Sequence, residues 1–147
     1  MRGAVILIGE EHRRAAGLIT DALVDVIRST DRRFTLTVAG ESGSGKSETA
    51  QALAEALDGP GIVAVVLQQD DYYVLPPKSN DAARRANFCW VGTTEVRLDL
   101  LDSHLQAAQA GDSSVVKPLV LFDEDRIVEE TVSLEGVRVV IAEGVYT

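Results

Sequence analysis

Eight residues, Gly40-Glu41-Ser42-Gly43-Ser44-Gly45-Lys46-Ser47, limit what this chain can fold into more than any other stretch. They follow an apolar run over residues 34–39 and open a helix-like run that reaches residue 57. Gly, four residues, Gly, Lys, Ser is the spacing of a phosphate-binding loop. Gly40, Gly43 and Gly45 allow a sharp turn that aims backbone N–H groups at one point. The helix behind the loop adds its unpaired first-turn donors and the positive end of its dipole, with Glu48 in that turn. Lys46 then reaches the outer phosphates, and the Ser47 hydroxyl can hold Mg²⁺. A strand before and a helix after are required for this geometry, and the sequence supplies both. The expectation is a nucleoside-triphosphate site within an α/β fold.

The remaining bulk properties narrow the class. At 147 residues the chain is long enough to bury one proper core. A net charge of −9 argues against general nucleic-acid binding and against an anionic membrane surface. A polyanionic nucleotide must therefore be attracted locally, by the loop, Lys46 and a metal. A single cysteine, Cys89, excludes an internal disulfide and suits a reducing compartment. No apolar run reaches membrane-spanning length, and the reading is a cytoplasmic protein.

Along the chain, residues 4–8 read as a short strand. Ala15, Leu18, Ile19, Ala22, Leu23, Val26 and Ile27 then form the stripe of an amphipathic helix over residues 10–29. Residues 1–30 are thus an N-terminal strand-helix extension, packed on the core or on a second subunit, and residues 31–147 the core itself. His12, near the start of that helix, reads as solvated. After the loop helix, Asp58-Gly59-Pro60-Gly61 is a stop, and residues 62–67 are a β-branched run suited to a strand covered on both faces. Strand, crossover helix and second strand make a right-handed βαβ unit. Residues 68–80 form a polar, aromatic loop, residues 81–87 a short helix, and Thr94 an N-cap for a helix to residue 110 ended by Gly111. His104 lies beside that helix's stripe as a packed or surface side chain. Pro118 keeps residues 115–122 out of a central strand, and residues 126–133 read as an edge-hairpin arm. Residues 137–142 are the third strong strand.

In a parallel sheet, ligands bind at the carboxyl ends of the strands. The first strong strand ends in the phosphate loop, the second in Gln69-Asp70-Asp71-Tyr72-Tyr73 and the third in Glu143-Gly144-Val145-Tyr146. Acidic groups from two strands would converge on a γ-phosphate and its metal. One can accept the proton of an attacking hydroxyl while another organises the metal shell. Asp71 reads as a solvated loop residue. Of Tyr72 and Tyr73, one is expected to pack inward and the other to line an acceptor pocket. Lys78, Arg84 and Arg85 are a basic cluster that would serve a phosphorylated acceptor if it faces the cleft.

These blocks, in this order and spacing, resemble the uridine kinase/phosphoribulokinase family of P-loop kinases. The likeness rests on residues 39–47, on Gln69-Asp70-Asp71-Tyr72-Tyr73 as the Gln-Asp-x-Phe/Tyr-Tyr motif, and on the strand that ends in Glu143-Gly144. The resemblance implies a three-layer, P-loop NTPase-type parallel sheet with flanking helices. It implies Asp70 as catalytic base beside Lys46, and Glu143 with Ser47 near the metal. It also implies ATP and Mg²⁺ as cofactors, and a small hydroxyl-bearing acceptor with uridine as the nearest label. Ribulose 5-phosphate, pantothenate or another sugar would use the same core. Arg126 falls where the family has an arginine that contacts the acceptor. Where the family carries Asp-His-Pro, this chain reads Asn87-Phe88-Cys89-Trp90-Val91-Gly92-Thr93-Thr94-Glu95, and Trp90 is either a base-stacking or an anchoring aromatic. Family members continue beyond the third strand with a lid and an adenine contact. The expectation is a fold incomplete on its C-terminal side, with a strand edge that favours a homo-oligomer. The competing reading is a nucleotide-binding regulatory or assembly module without turnover.

Overall fold

In chain order the elements are α1 (Glu10–Ser29), β1 (Phe34–Ala39), α2 (Lys46–Asp58), β2 (Ala64–Gln68), a 3₁₀ turn (Gln69–Tyr72), α3 (Pro77–Ala86), α4 (Leu98–Ala110), β3 (Ser114–Leu121), β4 (Arg126–Ser133) and β5 (Val139–Gly144). They are taken from a computed structural model that describes residues 5–147. The three strong strands share one parallel sheet with β5 in the middle, so that Val139 pairs with Phe34 on one side and with Ala64 on the other. The βαβ unit of β1, α2 and β2 is present, with the last strand inserted between its two strands. Every residue of β5 is buried, which is why Val139 to Ala142 form a continuous apolar run rather than an alternating one.

Alternate residues of β5 face opposite layers. Val139 and Ile141 meet α1 and α2 through Ala16, Ile27, Leu53 and Leu57. Val140 joins Leu67 on the other face, under Leu101 and Ala108 of α4, Tyr72 and Val115 of β3. The result is the expected three-layer arrangement. β3 and β4 pair antiparallel as a separate two-stranded sheet in which Pro118 stands opposite Glu129, as a strand outside the central sheet permits. Arg33 ties the layers together at the lower edge: its guanidinium donates to the carbonyls of Val137, Ala108, Asp112 and Leu134. Gly111, at φ 103, ends α4 and lets Asp112 N–H reach back to Ala107 O.

Four local expectations are corrected. Residues 5–8 are not a strand, and Val5 and Leu7 are exposed. An apolar run becomes a strand only where a neighbour completes its hydrogen bonds. Ala4 lies outside the described residues. In α1 the buried row is Ala16, Thr20 and Ile27, with Ile19 and Leu23 partly covered, while Leu18 and Val26 are 64% and 50% exposed. The helix carries two adjacent apolar rows and only one fits against α2, a choice that periodicity does not make. α3 starts at Pro77 rather than at residue 81, because proline at the first helical position forfeits no hydrogen bond. Thr94 is not a helix cap: its hydroxyl donates to Trp90 O within a 3₁₀ turn, and α4 begins four residues later. Among the described residues, no helix is long and apolar enough to cross a membrane.

Candidate active site

Parallel register brings the three marked strand ends to one rim. Glu143 stands opposite both Val38 and Gln68, and Gly40 N–H donates to Gly144 O at 3.3 Å. The loop turns through Gly43 and Gly45, whose φ values of 77° and 82° other residues rarely adopt. α2 starts at Lys46 with no side-chain cap, which leaves its first-turn N–H groups available to an anion. Glu41, Ser42 and Lys46 line a cleft of about 520 Å³ that continues past Asp70 to Tyr73, Arg84 and Glu95. Glu48 follows in the first turn of α2.

Glu143 is 2% exposed, and its carboxylate lies 3.6 Å from Lys46 Nζ. Burial pushes its pKa up. Lys46 and a hydrogen bond from the Ser47 hydroxyl counter that push only in part, and the nearby Asp70 carboxylate adds to it. Among the described residues, no cluster of three or more His, Cys, Asp or Glu could hold a metal alone. Mg²⁺ does not need one, since it uses one or two protein oxygens together with substrate phosphates and water. Ser47 and Glu143 fit that donor set.

The 3₁₀ turn sends successive side chains in opposite directions. Asp70 lines the cleft with Lys46. Asp71, expected in solvent, is instead 2% exposed, and it accepts from Lys117 Nζ at 2.6 Å and from Val120 N–H at 3.0 Å. The carboxylate that looked idle in sequence joins the β3–β4 hairpin to the turn that presents Asp70. Tyr72 packs fully inside, its hydroxyl 2.9 Å from His104 Nδ1, and burial raises its pKa strongly. Tyr73 faces the cleft with the Arg84 guanidinium 5.6 Å above its ring. Gln69 lies across Gly144, where a Cβ would run into its side chain, and its Oε1 accepts from Tyr146 N–H at 2.7 Å. That contact explains why glycine follows Glu143.

The far wall of the cleft is built on a buried carboxylate. Glu95, 1% exposed, accepts a two-pronged pair from Arg84 at 2.6 and 2.8 Å and a third bond from Asn80 Nδ2 at 3.0 Å. Burial pushes the Glu95 pKa up, but the bonds from Arg84, Asn80 and Gly92 N–H outweigh it and hold the group below its ordinary value. Trp90 donates Nε1–H to Asn80 Oδ1 at 2.7 Å and so anchors this wall. Leu75, Val91, Val120 and Phe122 make the remaining surface apolar.

The structure does not bring the whole basic cluster together. Arg84 reaches the cleft, but Arg85, one residue on, turns outward to Asp81 at 2.8 Å. The exposed Lys78 bonds Asp125 through its backbone N–H. Arg126 is also corrected: it lies exposed on the hairpin, paired with Glu124 at 3.3 Å, and does not line the cleft. Glu95, Asn80 and Lys117 went unnoticed in the sequence. Their partners lie 11, 15 and 46 positions away, and no spacing rule covers such pairs.

The sequence profile of the Phosphoribulokinase / Uridine kinase family matches residues 35–147. A uridine kinase of Schizosaccharomyces pombe is 31% identical over 110 residues, and a mouse protein named Uridine-cytidine kinase-like 1 is 32% identical over 113. These matches span 74% and 76% of this chain but only 24% and 20% of those proteins. Among solved structures, a "possible uridine kinase" from Bacillus stearothermophilus superposes with a TM-score of 0.67 at 24% identity, over 90% of this chain and 71% of that one. A profile match across most of the chain, and a fold in common with such kinases, lead to one conclusion: the chain belongs to the phosphoribulokinase/uridine kinase family.

Proposed function

We propose that this chain carries the phosphoryl-transfer site of an ATP-dependent kinase for a small hydroxyl-bearing molecule, with a nucleoside such as uridine as the favoured acceptor. The observation that carries the reading is the convergence of Lys46, Asp70 and Glu143 on one rim, at the mouth of a cleft with room for an acceptor. The acceptor lies between Tyr73 and the Arg84–Glu95 pair, and its hydroxyl is directed at the γ-phosphate. Asp70 takes the hydroxyl proton as the new P–O bond forms and ADP leaves. Lys46 and the loop amides stabilise the charge on the transferred group. Ser47 and Glu143 would hold Mg²⁺, which would neutralise phosphate charge. The uridine label is supported by the names of the two curated relatives and by the apolar walls beside a single charged pair.

The test is ADP release from ATP and Mg²⁺ in the presence of a panel of nucleosides and sugar phosphates. Asp70→Asn is expected to lower turnover by roughly 10²–10⁴-fold while ATP still binds. A wild-type chain that binds ATP yet turns over no acceptor would instead favour a regulatory or assembly module. Turnover untouched in Asp70→Asn would remove Asp70 from the chemistry.

A further inference from the structure

α1 lies outside the residues that match the family, yet its first turn stands against the phosphate loop. The residue that does so is His12, expected in solvent and in fact half-buried. A Cβ built on Gly45 would lie 2.9 Å from His12 Nε2 and 3.6 Å from its Cδ2. The ring thus presents its Nε2 edge, not its flat face, to the loop glycine that immediately precedes Lys46.

The proton on that ring can be placed. Gly9 N–H donates to His12 Nδ1 at 3.0 Å, so Nδ1 uses its lone pair as an acceptor. In a neutral imidazole the other nitrogen then carries the hydrogen. Nε2–H is a donor, and no protein group among the described residues accepts from it. It stands beside a loop whose own N–H groups are arranged for an anion.

Its position is fixed from several sides. Arg13, the next residue, pairs with Glu55 of α2 at 3.0 Å. At the other end of α1, Arg28 donates to Pro60 O, and Arg138 donates to the carbonyls of Ile27 and Thr30. The electrostatic need is also local. The chain carries a net charge of −9, the loop contains Glu41, and Lys46 is already shared with Glu143.

We propose that His12 completes the anion cradle, with Nε2–H donating to a phosphate oxygen of the bound nucleotide. The proposal rests on the reading of the loop as a nucleotide site. α1 is then a functional part of that site as well as a cover for α2. The residue binds phosphate rather than taking part in the chemistry.

Titration calorimetry of the full chain with ATP, and separately with inorganic tripolyphosphate, tests this. His12→Phe keeps the ring volume without the donor and is expected to weaken both ligands about tenfold, as loss of a hydrogen bond to a charged group does. His12→Gln, which places an amide N–H near the same position, is expected to restore most of that loss. Lys46→Ala is the control for the site itself. If Lys46→Ala loses binding while His12→Phe binds as wild type, the role of His12 is refuted and the nucleotide site stands. If Lys46→Ala also binds as wild type, the nucleotide reading falls. Equal weakening in His12→Phe and His12→Gln would make the residue a spacer and overturn the proposal. Should His12→Phe fail to fold, His12→Ala against His12→Gln decides by the same comparison.

Discussion

The buried pair between Lys117 and Asp71 gives the sharpest stability prediction, because its two halves have unequal support. Their side chains are 4% and 3% exposed, with Nζ and Oδ2 2.6 Å apart. Lys117 has two further partners, Glu130 at 3.2 Å and Pro118 O at 3.1 Å. Lys117→Met removes the cation that Asp71 and Glu130 share. Breaking a buried pair from one side destabilises by about 3–5 kcal/mol. At about 2–4 °C per kcal/mol for a domain near this size, the melting temperature should fall by about 10 °C. Asp71→Asn leaves Lys117 with Glu130 and the carbonyl, so the loss should be smaller, about 1–3 kcal/mol. The double variant should be less destabilised than the two single losses added together, with a coupling of about 1–3 kcal/mol. Urea unfolding followed by circular dichroism measures all three. A functional signature is also expected. Asp71 holds the turn that presents Asp70, so Asp71→Asn should lower turnover more than it weakens ATP binding. Single losses that simply add, or a Lys117→Met chain as stable as wild type, would refute the argument.

Gly144→Ala should destabilise the chain by about 1–3 kcal/mol, because the new methyl group meets Gln69 and overpacks the rim. Urea midpoints for this variant against wild type check that figure. His104 gives a pH dependence: burial, then Arg97 and Lys117, hold its pKa below the ordinary histidine value. The unfolded chain takes up that proton first as the pH falls. The neutral-ring contribution to stability is therefore present above about 6.5 and is lost as the pH drops from there toward the depressed folded value. His104→Asn keeps an acceptor for Tyr72, and its stability should fall less steeply between pH 7.5 and 5.5. Parallel stability curves for the two proteins would contradict this.

Much of the site was legible in the sequence because its signals are local. Gly40 to Ser47 specify their own turn chemistry, and an unbroken apolar run such as Val139 to Ala142 announces a strand covered on both faces. One of Tyr72 and Tyr73 is expected inside and the other on the cleft, but which is which is set by the 3₁₀ turn, where the sequence suggests only a loop. What escaped depends on partners from other segments. Asp71 looks like any loop aspartate until β3 brings Lys117 over it. His12 looks like a surface histidine until α1 docks on α2 and sets its ring against Gly45. The docked row of α1 is itself a tertiary choice between two apolar rows of similar strength. Arg126 failed in the opposite direction: a family position was carried over by order along the chain, while the hairpin sends that side chain out toward Glu124.

The middle place of β5 has a consequence for how the molecule comes into being. Phe34 waits for Val139, about a hundred residues further along, before β1 gains its neighbour, and closing so long a loop is entropically slow. During synthesis, the phosphate loop and the turn bearing Asp70 emerge before β5, on two strands that are not neighbours in the final order. The edges that face β5 stay open until that strand, made after both, comes between them, and open edges are where nascent chains stick to one another. The strand at the centre of the sheet is thus the latest of the three to leave the ribosome.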